Sequence, residues 1–412
     1  MAIPVPEKRI ADFEELGFGM FIHWGLYSQL GQGEWAQCHH QIPKEEYMKL
    51  QDTFTASKFN GQKIAQIAKK GGAKYITLTT RHHEGFSLFD TKGLNTYDAV
   101  HSPVGRDLIR DFVDGCRAEG IIPFFYHTTL DWYHPDFDND FKSYLQYLRD
   151  SVEILCTEYG KIGGLWFDGN WWKPKEDWEE DKLYALIRKH QPDAIIVNNT
   201  GLGARGVIGN TELDSVTYEQ GRPEPMNREG MPKYVAAEMC HTMNAHWGYG
   251  AKDVNCKSLA ELIETLCACR KVGANYLLNV GPDAEGEITP LQAALMEGIG
   301  DWIRYTGNCI YKSKPCGIKG INHSKNFALR DGNKLYFFIH DLSISGNSNV
   351  TVNCGGAGFK TFAGVPEGIK SLKWVDNDEV LEYNYDNGAF AMNATGFPYG
   401  TNLVVRVAEA EL

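Results

Sequence analysis

The stretch FKSYLQYLRDSVEILCTEYGKIGGLWFDG, Phe141 to Gly169, holds one complete structural unit. Its first part spaces apolar residues three and four apart, the period of a helix with one buried stripe, and ends near a glycine. "GLWFD", Gly164 to Asp168, is then a short apolar and aromatic run closing on a carboxylate, which reads as a strand buried on both faces. A helix feeding a doubly buried strand is half of a β-α-β repeat, so the fold turns on whether the unit recurs.

It recurs along about 300 residues. Strands are expected at Phe18 to Trp24, Tyr75 to Thr80, Ile121 to His127, Gly164 to Asp168 and Ala194 to Asn199, with weaker ones at Ser215 to Glu219 and Val235 to His241 and a clear one at Tyr276 to Gly281. Helix-period segments such as "GQKIAQIAKKGG", "GRDLIRDFVDGCRAEG" and "EEDKLYALIRKHQP" fall between them. Eight strands in β-α-β-α order predict a (β/α)8-like barrel over residues 1–317. No helical period is visible between Asn199 and Ser215, so that part should be irregular. From about Ile318 the texture changes to short alternating runs, "KLYFFIHDL", "NVTVNCGG", "IKSLKWV", "GAFAMNA" and "NLVVRVAEAEL", split by Gly, Asn and Asp turns. Residues 318–412 are therefore expected to form an antiparallel β-sandwich.

Composition narrows the function. A formal net charge of -12 with no block of Lys or Arg argues against a nucleic-acid binder and against an anionic membrane surface. The start lacks a basic segment followed by an apolar one, and no stretch approaches 18 uninterrupted apolar residues, so a cytoplasmic location is expected unless a leader was removed. The ten cysteines are scattered, and Cys267 and Cys269 would fall on different faces of one helix, so free core thiols are expected. The aromatic surplus would serve subunit contacts as well as ligand stacking, which leaves a homo-oligomer open.

In such a barrel the carboxyl ends of the strands build the active site. Those ends carry His23; Arg81, His82, His83 and Glu84; Tyr126 and His127; Asp168; Asn198 and Asn199; Glu219; Glu238 and His241; and Asn279. A single histidine after a strand is more often structural than functional. Together with Trp24, Trp35, Trp132, Trp171, Trp172 and Trp247, however, imidazoles, amides and carboxylates would converge on one mouth. Sugars lay apolar C–H faces on aromatic rings and need donors and acceptors for their hydroxyls, so the mixture suits a monosaccharide. A metal hydrolase is disfavoured by the lack of HxH or HExxH spacing.

The motifs "FGMFIHWGLYS…GEW", "YITLTTRHHEGFSLFDT", "FYHTTLDWYHPDF", "WFDG" and "EMCHTMNAHWGYG" closely resemble the α-L-fucosidases of glycoside hydrolase family 29, over Phe18 to about Gly281. The resemblance implies a retaining hydrolase of terminal α-linked L-fucose, without a cofactor, acting on fucosylated oligosaccharides or glycoconjugates. It implies Asp168 as nucleophile. It also implies His23, Glu34, Trp35, His82 and His83 as holders of the sugar hydroxyls, with Tyr126 near the nucleophile. His127 and Trp247 join the expected substrate-binding set, although the family often has tyrosine or serine where His127 stands. The family usually has "KHHDG" where this chain has "RHHEG". For the acid/base, Glu219 in "DSVTYEQ" leads, with Glu238 in "AEMC" and Glu212 in "NTELD" open. The alternative is a non-catalytic fucose-binding protein on the same fold.

Overall fold

The computed structural model describes residues 2–201, 203, 205–351, 356–386 and 388–412. Eight parallel strands close into a barrel in chain order: β1 (Phe18–Ile22), β2 (Tyr75–Arg81), β3 (Ile122–Thr128), β4 (Gly164–Asp168), β5 (Ile195–Asn199), β6 (Ser215–Glu219), β7 (Ala236–Thr242) and β8 (Asn275–Val280). Closure is by β8 on β1, with Phe18 opposite Tyr276 and Ile22 opposite Val280. Every residue of β1, β2, β5, β7 and β8 is buried, as strands covered on both faces require.

Helices Gly61–Lys70, Leu108–Glu119, Phe141–Thr157 and Glu180–His190 alternate with the strands up to β5. Side chains of Asn60, Asp107 and Asp140 each accept a first-turn backbone N–H, which satisfies donors that a helix start leaves unpaired. Among the described residues no helix joins β5 to β6 or β6 to β7. The irregular stretch expected after Asn199 is present, and β5 meets β6 in a single register pair, Val197 with Ser215. A buried carboxylate fastens this seam instead. Asp214 accepts the Ile196 N–H at 3.0 Å and forms ion pairs with Arg9 at 3.0 Å, Lys233 at 2.8 Å and Arg188.

Strand parity decides what faces the interior. Phe124 and Tyr126 of β3, Trp166 of β4, Val197 of β5 and Cys240 of β7 belong to one inner cluster, so Phe125 and His127 face outward. A bulge then changes the parity of β2. Thr79 lies opposite Tyr126, but Arg81 rather than Thr80 lies opposite His127. The extra residue puts Arg81 on the outer face and turns the following His82 toward the mouth.

The C-terminal strands β9 (Lys314–Gly320), β10 (Phe327–Asp331), β11 (Lys334–Ile339), β12 (Gly358–Ala363), β13 (Ser371–Trp374), β14 (Tyr383–Asp386), β15 (Ala389–Ala394) and β16 (Arg406–Glu411) form one antiparallel sheet. Its order is β13-β16-β11-β10-β9-β12-β15-β14. Leu372 and Trp374 near one end share a core with Phe390 and Met392 near the other, around Phe337 and Phe362. The sheet thus doubles over a single core, which is a sandwich made from one continuous ladder. Half of the "NVTVNCGG" run expected as a strand lies at 352–355, outside the described residues. By packing, the chain divides into Met1–Lys257 with Asn275–Glu297, and Ser258–Ala274 with Gly298–Leu412. The nine cysteines among the described residues form no disulfide; Cys354 lies outside them. Among the described residues no helix is long and apolar enough to cross a membrane.

Candidate active site

A pocket opens at the carboxyl ends of the strands. Phe21, His23, Trp35, His82, His83, Tyr126, Trp166, Asp168, Trp171, Asn199, Glu219, Cys240 and Trp247 line it. Seven strands or strand ends therefore contribute, and Asp168 stands among them with a side chain that is 14% exposed.

The backbone of Asp168 is held before its side chain is. Its carbonyl accepts the Thr129 N–H at 2.7 Å and the Thr129 hydroxyl at 2.9 Å, tying β4 to the end of β3. Gly169 follows at φ +116°, and a Cβ there would sit 2.5 Å from the Leu130 Cβ, so only glycine makes this turn without strain. The turn brings Trp171 back over the acid. Its Nε1–H donates to Asp168 Oδ1 at 2.9 Å, Asn199 Nδ2 donates to the same oxygen at 3.2 Å, and the Tyr126 hydroxyl donates to Oδ2 at 3.0 Å. Burial raises the Asp168 pKa, and the hydrogen bonds from Trp171, Tyr126 and Asn199 oppose it. Three donors aimed at one carboxylate favour its ionised form.

Glu219 is placed by register. It lies opposite Cys240, at the level of the pocket, whereas Glu238 lies opposite Thr217, two residues lower. The same Asn199 amide that meets Asp168 at 3.2 Å donates to Glu219 Oε2 at 2.8 Å. Both oxygens lie within hydrogen-bond reach of one nitrogen, so they are at most about 6 Å apart. Burial raises the Glu219 pKa to about 7, helped by the Asp168 charge. Glu219 has one donor where Asp168 has three, so the proton resides on Glu219 first.

The other two acids are elsewhere. Glu238 is fully buried inside the barrel, where it accepts the Tyr75 hydroxyl and, at 3.1 Å, the Trp166 indole N–H. Burial lifts its pKa to about 7 as well, but it does not line the pocket. Glu212 has a half-exposed side chain 3.9 Å from Arg188 on the outside.

The imidazoles are held in defined tautomers by their neighbours. Asn279 donates its amide N–H to the Trp247 carbonyl at 2.7 Å, so its Oδ1 accepts from His23 Nδ1 at 2.7 Å. Thr128 donates to the Leu130 carbonyl at 2.6 Å and so accepts from His83 Nδ1 at 2.7 Å. Both rings are thereby left with a bare Nε2, and that of His83 is 3.6 Å from Asp168 Oδ2. Burial pushes the pKa of His23 and His83 well down, keeping them neutral.

Of the ten expected site residues, Asp168, Glu219, His23, Trp35, His82, His83, Tyr126 and Trp247 line one cavity. Glu34 does not line it; its carboxylate accepts the Gly248 N–H at 2.8 Å, and its charge still bears on Glu219. His127 is turned away. Thr80 donates to the Tyr126 carbonyl and so accepts from His127 Nδ1 at 2.8 Å, leaving His127 Nε2 to accept from the buried Arg81 guanidinium at 2.8 Å. The outward parity of β3 makes His127 an anchor for Arg81, not a pocket group. Asn199 was visible as a strand-end amide, but nothing in the sequence gives it two carboxylates to bridge. Phe21, Trp166 and Cys240 read as core, and only strand parity could have brought them to the pocket floor.

A family model described as Alpha-L-fucosidase matches residues 6–308. The tissue alpha-L-fucosidase of Mus musculus is 31% identical over 336 residues, which is 74% of this chain and 72% of that protein. Among solved structures, alpha-L-fucosidase isoenzyme 1 from Paenibacillus thiaminolyticus is 31% identical with a TM-score of 0.85, covering 98% of this chain and 99% of that one. A GH29 alpha-L-fucosidase from Bacteroides thetaiotaomicron, trapped as a covalent intermediate with 2-fluoro-fucosyl fluoride, shares the fold. Its TM-score is 0.82 at 22% identity, covering 100% of this chain and 97% of that one.

Proposed function

This chain belongs to the alpha-L-fucosidase family of glycoside hydrolases, and from that premise we propose that it releases terminal α-linked L-fucose from fucosylated glycans with retention of configuration. Catalysis is assigned to residues 1–317. Asp168 attacks the anomeric carbon as the bond to the leaving oxygen breaks, and Glu219 gives that oxygen its proton. Glu219, now a carboxylate, takes a proton from water as the water's oxygen displaces Asp168 from C1 and restores the first configuration. His23 and His83 accept hydroxyl hydrogens on their bare Nε2 atoms, while Trp35, Trp247 and Phe21 meet the apolar parts of the sugar.

The observation that carries this reading is the bridging amide of Asn199. Retaining glycosidases hold their two carboxyl groups roughly 5 to 5.5 Å apart, and inverting ones about 6.5 to 9.5 Å apart to admit a water. Two carboxylate oxygens at 3.2 Å and 2.8 Å from one amide nitrogen, hence at most about 6 Å apart, support direct attack. The test is turnover of an aryl α-L-fucoside followed by proton NMR. The first product should be the α-anomer, Asp168→Gly should lose at least about a thousandfold in kcat, and azide should restore turnover of that variant as a β-fucosyl azide. Near-normal activity of Asp168→Gly would overturn the assignment. Saturable fucose binding without turnover of any fucoside would point to the non-catalytic alternative.

A further inference from the structure

His82 differs from the other rings of this region in what its Nδ1 faces. His23, His83 and His127 turn theirs to neutral oxygens of Asn279, Thr128 and Thr80. His82 turns its Nδ1 to a carboxylate, Glu84 Oε2, at 3.6 Å. Among the described residues neither that nitrogen nor either oxygen of Glu84 has a hydrogen-bond partner in the protein. Both residues are buried, His82 3% and Glu84 2% exposed. A buried carboxylate is retained only where something meets its charge. At 3.6 Å the two groups are one small rotation, or one bridging water, from a hydrogen bond.

The surroundings are built for the pair. The phenols of Tyr27, Tyr47 and Tyr97 are buried around Glu84, and the hydroxyls of Tyr47 and Tyr97 also lack protein partners. Burial first, and the charge of Glu84 second, raise the pKa of all three, which keeps them protonated. A Cβ at Gly25 would sit 2.8 Å from Glu84 Oε1, so the end of β1 carries no side chain where the carboxylate lies. The ring nitrogens of an imidazole point in different directions, so a His82 that lines the pocket with Nδ1 turned to Glu84 presents Nε2 to the sugar.

We propose that Glu84 is the positioning residue of His82: its carboxylate accepts the Nδ1–H, holds the ring in one orientation and one tautomer, and so offers a bare Nε2 to a sugar hydroxyl. The acid of "RHHEG" thereby acquires a role in substrate recognition without touching substrate. It is the same use of a buried acid behind a functional histidine that orients imidazoles elsewhere. This rests on the fucosidase reading for the identity of the sugar.

The test is long-range ¹H–¹⁵N correlation of the imidazoles in the full chain, with His82 assigned by the signal lost in His82→Gln. The wild type should show His82 protonated at Nδ1 and bare at Nε2. Glu84→Gln should disturb that pattern for His82 alone and weaken L-fucose binding about tenfold, the loss of roughly one hydrogen bond. It should also raise KM for an aryl fucoside more than it lowers kcat. A His82 protonated at Nε2 and bare at Nδ1 in the wild type, or a Glu84→Gln variant that binds L-fucose within twofold of the wild type, would overturn the proposal. If Glu84→Gln fails to fold, the wild-type tautomer alone decides. A wild type that binds no L-fucose would sink the fucosidase reading, while the tautomer would still report on Glu84.

Discussion

At the scale of single residues, the site separates two carboxyl groups by the donors each receives. Asp168 takes three hydrogen bonds and Glu219 one from the same shared amide, and Glu219 is pushed up to about 7 by burial and by the charge of Asp168. The pH profile follows with a definite sign. As the proposed acid, Glu219 must be protonated, so kcat/KM should fall as pH rises through about 7. Glu219→Gln should lower turnover of unactivated fucosides far more than of activated aryl fucosides, whose leaving groups need little proton assistance. Azide should rescue it to the retained α-azide, the reverse of the Asp168→Gly product. Glu238 is also raised to about 7, so an equal loss of the basic limb in Glu238→Gln would move the acid role to the lower layer. Which of these acids reaches the pocket was not legible in "DSVTYEQ", "AEMC" and "NTELD", because composition and spacing say nothing of the level each residue occupies in a barrel.

At the scale of elements, the side of the barrel without crossover helices is secured by Asp214. Its carboxylate joins Arg9, Arg188 and Lys233 and caps the edge of β5 through the Ile196 N–H. Burial raises its pKa, but the Arg9 hydrogen bond and the Arg188 and Lys233 charges outweigh that, and the net shift is downward. A folded-state pKa below the unfolded one stabilises the fold above the unfolded value of about 4, and that contribution is lost as pH falls through the lower folded value. Asp214→Asn leaves three cations facing a neutral amide and should cost about 3 to 5 kcal/mol. Urea unfolding at pH 7 measures it, and the deficit should shrink as pH falls from about 4, where the unfolded chain's aspartate takes up its proton, through the lower folded value. The seam's irregularity was legible as a missing helical period after Asn199; the clamp was not, since its partners come from four separated segments.

At the scale of the molecule, the negative balance extends to the rim of the site. Beside the pocket, and sharing Trp171 with it, a groove is lined by Glu176, Asp177, Glu179, Glu180 and Asp181, with Trp172 close by and 45% exposed. With a net charge of -12 behind it, this surface should repel anionic glycans. For a neutral fucoside kcat/KM should be nearly flat between low and high salt, whereas for a sulfated fucosylated oligosaccharide it should rise with ionic strength as the repulsion is screened. Equal salt dependence for both substrates would remove the groove from any part in selectivity. The amino-acid sequence alone determined the alternation of doubly buried strands with amphipathic helices, the change to short alternating strands near residue 318, and the gathering of histidines, amides and acids at strand ends. Those are local properties, written in hydrophobic period and in residue type. Only the tertiary structure decided that His127 faces Arg81 instead of the pocket, that a bulge in β2 aims His82 inward, and that one asparagine spans Asp168 and Glu219. Each depends on register between strands far apart in the chain, where a slip of a single residue exchanges the two faces, and no local pattern encodes that slip.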